Sequence, residues 1–109
     1  MNVFPTKETI DIEFKSDVKK LSDSELVDAV VAFANTSGGD IYLGIEDDGT
    51  PTGIHESHRD YTQLSAFIAN KTVPPISVKA EPVYVGESLV VLKISVPKSR
   101  SSLMQQSKR

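Results

Sequence analysis

The stretch that most constrains the fold is "SDSELVDAVVAFANTSGGDIYLGI", residues 22–45. Ser22 followed by Glu25 is a capping box, in which the hydroxyl accepts an orphan N–H of the first turn and the glutamate reaches back. Behind it Leu26, Ala29, Val30 and Phe33 line one helical face, and Val27, Val31 and Ala34 widen it. A stripe that broad requires cover on most sides, so the helix expected over 22–36 must be largely enclosed by a sheet and its neighbours. Gly38-Gly39 ends it with the residue type that tolerates a left-handed C-cap. "DIYLGI" then alternates, with Ile41, Leu43 and Ile45 against Tyr42 and Gly44, which is the period of a strand.

The flanks extend the pattern. "TIDIEF" (9–14) alternates with Ile10, Ile12 and Phe14 on one face. After strand 40–45, the turn "EDDG" leads into "TPTGI", a possible hairpin return. "SHRD" (57–60) reads as a second capping box, opening a helix with Tyr61, Leu64, Phe67 and Ile68 on its apolar face; Asn70 can close it, and Pro74-Pro75 forbid continuation. "ISVKAEPVYV" and "SLVVLKISV" flank Gly86-Glu87 as a hairpin. The order β-α-β-(β)-α-β-β predicts an α+β domain over residues 1–97, with two helices packed on a mixed sheet. In "PKSRSSLMQQSKR" the period stops. Residues 98–109 are expected to be a basic tail or a boundary where a longer chain was cut, the latter favoured by the open sheet edge left by the hairpin.

A chain of 109 residues, 39% hydrophobic and 25% charged, is long enough for one modest core. No apolar run approaches the ~18 residues of a membrane span, and no signal peptide opens the chain. Without cysteine there is no disulfide framework, thiol nucleophile or Cys-ligated zinc, and a cytoplasmic location is the simplest expectation. The net charge of −3 hides a division. Residues 1–60 hold thirteen acids and five bases, −8; residues 61–109 hold two acids, Glu81 and Glu87, and seven bases, +5. A basic region is what phosphate backbones need. The candidates for phosphate contact are Lys15, Lys19, Lys20, Lys79, Lys93, Lys98 and Arg100; Lys98 and Arg100, with Lys108 and Arg109, suit a solvated tail equally well.

Among chemical motifs, the phosphate-cradling G-x-x-x-x-G-K-[ST] and the nucleophile elbow G-x-S-x-G are both missing. His55 and His58 lack a third ligand nearby and read as a surface pair. Acids remain. Glu8, Glu13 and the 46–48 cluster could supply oxygen ligands to Mg²⁺ or Mn²⁺, whereas by chemistry alone Asp47-Asp48-Gly49 reads first as an ordinary hairpin turn. Five residues of strand span roughly 16 Å, so Glu8 can join Glu13 only from a bend ahead of the strand. Asn35 and Thr36 are expected to satisfy the last carbonyls of the helix; facing a groove beside the acidic turn is the alternative.

"ETIDIEFK" followed by "VAFANTSGGDIYLGIEDDGTPTGI" resembles the Schlafen-type Alba-like domain, labelled a DNA-binding domain and at times a divergent AAA domain. The resemblance runs from Glu8 to about Val96 and rests on Glu-Phe-Lys at 13–15, Ala-Phe-Ala-Asn-Thr at 32–36, Gly-Gly at 38–39 and Gly-Ile-Glu-Asp-Asp-Gly at 44–49. It implies an Alba-like fold. In bacteria and archaea such domains usually open longer proteins that continue into an ATPase-like and winged-helix region, commonly called transcriptional regulators or helicase-like. In vertebrate Schlafens similar domains form a paired, RNA-cleaving core, and its acids fall on Glu8, Glu13 and Asp47 of this chain. The Arg-x-Gly-Ser strand that usually follows Val-Pro-Lys-Ser is missing here. The leading expectation is a domain of a transcriptional regulator that binds DNA or RNA mainly through phosphates. The alternatives are a Mg²⁺- or Mn²⁺-dependent nuclease on Glu8, Glu13 and Asp47, and a non-catalytic dimerisation or sensing module. A homodimer and further C-terminal domains are the partners this implies.

Overall fold

Strands β1 (Ile12–Lys15) and β2 (Gly39–Leu43) run parallel, joined by α1 (Asp23–Ala34), in a computed structural model that describes residues 5–106. Helix α2 (Leu64–Lys71) and the short β3 (Thr72–Val73) follow, then the antiparallel hairpin β4 (Lys79–Val85) and β5 (Leu89–Val96), and finally β6 (Met104–Gln105). The main sheet has the order β1-β2-β5-β4, with β5 antiparallel to both neighbours; β3 and β6 form a separate two-stranded pair. Two helices on a mixed sheet make this the α+β class, consistent with an Alba-like fold.

The broad stripe of α1 behaves as its width requires. Leu26, Ala29, Val30, Phe33 and Ala34 are buried with Ile41, Leu43, Leu92 and Ile94 of the sheet and Ile68 of α2. Ser22 caps the helix, its Oγ accepting the Glu25 N–H at 3.1 Å and donating to Glu25 Oε1. Gly38 and Gly39 have φ of 76° and 157°, and their role is also one of approach: a Cβ on Gly38 would lie 2.7 Å from the Val96 carbonyl oxygen, and one on Gly39 2.6 Å from that of Asp11.

Four elements depart from the sequence pattern. The first strand begins at Ile12, because Thr9 and Ile12 exchange backbone bonds in a tight turn braced by Thr9 Oγ1 donating to Asp11 Oδ1. Ile10, expected on the buried face, sits at that turn 90% exposed. The "TPTGI" return is a single bridge, Ile45 to Pro51, and Thr52 and Gly53 both donate to the Gly44 carbonyl. The second helix starts at Leu64 instead of at a Ser57 cap; two 3₁₀ turns, Glu56–His58 and Tyr61–Gln63, precede it, and it runs through Lys71 to a Thr72 cap.

The fourth departure lies after Val96. The segment without a period is packed into the domain: Ser99 N–H donates to the Ala34 carbonyl, Leu103 is buried, and β6 pairs with β3. Asn35 clamps it, its Nδ2 donating to the Leu103 carbonyl at 3.0 Å and its Oδ1 accepting the Leu103 N–H at 2.7 Å. Thr36 does cap its own helix, donating to the Ala32 and Phe33 carbonyls. The hairpin edge of the sheet is β4, since β5 is central. Pro82 interrupts that edge, and at the other the Glu8 carboxylate accepts the Phe14 N–H at 2.9 Å, so neither offers an uninterrupted ladder to a further strand. Among the described residues no helix is long and apolar enough to cross a membrane. Lys108 and Arg109 of the expected tail lie outside them.

Candidate functional site

The two ends of the sheet differ in chemistry. At the end where β2 begins, Lys79 opens β4, and Lys98 and Arg100 follow β5; all three are exposed. Lys98 sits against the Gly38 turn. Lys93 lies two residues further in, between Tyr42 and Glu81 across the strands, and is half-buried. None of these four forms an ion pair among the described residues, nor does Lys19; Lys20 is 3.9 Å from Asp23. Lys15 stands apart. Its Nζ is 2.9 Å from Glu13 Oε2, and that hydrogen bond chiefly, with the fields of Glu13, Glu25 and Glu8, raises its pKa against the opposing effect of burial.

Asp11 and Asp40 share that first end, whereas Glu8 and the acidic 46–48 turn lie near the other, where β2 finishes. Glu8 precedes β1 on a bend and folds back onto Phe14, the residue after Glu13. The 46–49 turn lies against the same N-terminal segment, so closely that a Cβ on Gly49 would be 2.3 Å from the Thr6 carbonyl oxygen. Glu46 accepts from Thr52 Oγ1 at 2.5 Å, and Asp48 Oδ1 accepts the Thr50 N–H; hydrogen bonding from the Thr50 side chain first, then from its backbone, lowers the Asp48 pKa. Asp47 is exposed. The fold therefore brings the segments of Glu8, Glu13 and Asp47 together. Glu13 is paired with Lys15, Glu8 accepts the Phe14 N–H through one oxygen, and among the described residues no three His, Asp or Glu side chains form a group able to hold a metal.

A third constellation was not legible as one in the sequence. Asp17 is 0% exposed and accepts three bonds, from Leu21 N–H at 2.8 Å, His55 N–H at 2.6 Å and His58 Nδ1 at 2.7 Å. A carboxylate only accepts, so Nδ1 of His58 carries the proton. His55 has the other tautomer, since its Nδ1 accepts the Ser57 N–H at 3.0 Å. The expected surface pair is thus wrong for His58, whose side chain is 10% exposed. Its partner is 41 positions away, beyond the reach of a spacing argument. This anchoring also explains the late start of α2. Capture of His55 and His58 by Asp17 ends the first 3₁₀ turn before it can become a helix.

On the sheet face opposite the helices, Phe14, Tyr42, Ile45 and Val91 form a second buried cluster, with Phe14 and Tyr42 edge to face at 6.4 Å. Burial, then the Asp40 and Glu81 carboxylates, push the Tyr42 phenol above its usual value.

This arrangement of elements, with the Gly-Gly turn and the acidic hairpin joined to one mixed sheet, has a match. The family model described as Schlafen, AlbA_2 covers residues 8–109. The chain belongs to that family. No curated protein matches it. Among solved structures, the DIP2311 protein from Corynebacterium diphtheriae is similar to this AlbA_2 domain with a TM-score of 0.69 at 27% identity, over 99% of this chain and 21% of that one. The N-terminal domain of a protein from Nitrosomonas europaea, named for its relation to the ATP-dependent DNA helicase RecG, is similar with a TM-score of 0.70 at 20% identity, over 94% of this chain and 74% of that one. The second likeness is one of fold.

Proposed function

We propose that this AlbA_2 domain binds nucleic acid chiefly through phosphates, at the sheet end carrying Lys79, Lys93, Lys98 and Arg100, as the contact module of a larger cytoplasmic regulator. The observation that carries this reading is the exposure of Lys79, Lys98 and Arg100 at one end without ion-pair partners among the described residues. The overall charge is −3 and Asp11 and Asp40 lie at the same end, so binding depends on the local exposure of these bases. Neither helix presents a basic, base-reading face, so little sequence discrimination is expected. In fluorescence anisotropy with a labelled duplex, affinity should fall steeply with salt, and replacing Lys98 and Arg100 together by alanine should reduce the log–log slope by about 2, near 0.9 per lost contact. An unchanged slope, or no binding at low salt, refutes the reading.

A second reading, a Mg²⁺- or Mn²⁺-dependent nuclease on Glu8, Glu13 and Asp47, draws support from the contact of the acidic turn with the segment before Glu8. It requires the Glu13–Lys15 pair and the Glu8–Phe14 bond to open first. If it holds, millimolar Mn²⁺ raises the melting temperature of the domain by mass action and Asp47→Ala abolishes the rise; no shift in the unaltered domain rejects it.

A further inference from the structure

We propose that the cavity bounded by Arg59, Tyr61 and Tyr84 is a binding site for a phosphorylated aromatic base: a nucleotide, free or as an unpaired unit of a strand. The cavity holds about 440 Å³ and lies between the 52–54 segment, the turn at 59–61 and the far end of the β4–β5 hairpin. That volume is in the range of small-molecule sites. The basic residues proposed above lie at the opposite end of the sheet, so this site stands independently of that surface.

Its lining is specific in chemistry. Arg59 is the one cation there, and no carboxylate lines the cavity. Arg59 has no ion-pair partner among the described residues, which leaves its planar fork for a phosphate, the anion it fits in bidentate fashion. Tyr61 and Tyr84 offer aromatic surface on which any base can stack, and Leu89 adds an aliphatic wall. Gly53, with φ of 88°, keeps the cavity open: a Cβ there would lie 3.1 Å from Leu89 Cδ2, between two parts of the lining.

The position of Arg59 is also fixed from behind. Asp17 holds the His55 N–H and the His58 ring, so the turn that ends in Arg59 is tied to the loop after β1. A buried carboxylate thus sets an exposed cation without touching it, and Asp17 is a positioning residue.

The test is titration of the isotope-labelled domain with AMP, adenosine, inorganic phosphate and a single-stranded deoxyadenosine hexamer, followed by NMR. AMP should shift the Arg59 side-chain and Tyr61 signals, while adenosine and phosphate alone bind at least tenfold more weakly. Arg59→Lys should weaken AMP at least fivefold with an unchanged melting temperature, whereas Lys98→Ala/Arg100→Ala should leave AMP binding intact. If the hexamer shifts the same signals more tightly than AMP, the source is a strand; if AMP alone shifts them, it is a free nucleotide; either supports the site. Absence of shifts at Arg59 and Tyr61 with both AMP and the hexamer, or an AMP affinity equal to the parent's in folded Arg59→Lys and Arg59→Ala domains, overturns it.

Discussion

Replacing Asp17 by alanine tests the link between the loop after β1 and the turn ahead of α2. The carboxylate is 0% exposed and accepts from Leu21 N–H, His55 N–H and His58 Nδ1, at 2.8, 2.6 and 2.7 Å. Leaving a buried donor unsatisfied costs about 1–3 kcal/mol. Leu21, His55 and His58 keep partial access to water, so the low end applies to each. Three such losses amount to about 3–5 kcal/mol, the range for breaking a buried polar pair from one side. A domain of this size has about 5–15 kcal/mol in total. Asp17→Ala should therefore lower the melting temperature by roughly 12–20 °C, at about 4 °C per kcal/mol. Asp17→Asn keeps the shape and one oxygen, and should cost about 1–3 kcal/mol, as one donor would then face an amide NH₂. His58→Ala removes only one of the three partners and should cost less than Asp17→Ala. Urea unfolding followed by far-UV circular dichroism, compared at constant m-value, measures all three. An Asp17→Ala domain within about 1 kcal/mol of the parent, or a His58→Ala loss equal to it, would refute the triple anchor.

Other outcomes follow from the same contacts. Asn35→Ala and Leu103→Ala should couple by about 1–2 kcal/mol in a double-mutant cycle, because the clamp and the buried leucine hold one segment; additive losses would show that β6 docks without the clamp. Phe33→Ala should cost about 3–5 kcal/mol, and a cooperatively folded variant with parental urea midpoint would mean that the α1 face is not the core. Burial, with the Asp40 and Glu81 carboxylates, raises the pKa of the Tyr42 phenol above its ordinary value in the folded state, so the folded protein holds that proton more tightly than the unfolded chain. Its contribution is present in full below the unfolded pKa and is lost as pH rises through the folded one. Tyr42→Phe should therefore soften the alkaline loss of stability, read as the slope of the urea midpoint against pH above about 10; an unchanged slope would place the phenol in water.

The elements that short-range periodicity could reveal were legible in the chain. A capping box at Ser22, a broad apolar face from Leu26 to Ala34, Gly38-Gly39 and an alternating strand fix α1 and β2, since each cue acts within a few residues and local burial enforces it. The hairpin over Lys79–Val96 was readable for the same reason. Bonds between distant positions were not. Asn35 looked like a residue serving its own helix, but its partner Leu103 is 68 positions away in a stretch with no period, docked by that buried leucine, its two bonds to Asn35, the Ser99–Ala34 bond and the pairing of β6 with β3. His58 looked like a surface histidine until Asp17, 41 positions earlier, was brought beneath it. Arg59 lacked any local signal, since an isolated arginine acquires meaning only from the tyrosines and the hairpin end that tertiary packing places around it. Sequence spacing encodes which face of an element is apolar, because that depends on the pitch of a single chain. Which polar groups meet across elements depends on how those faces pack, and only the folded structure decides it.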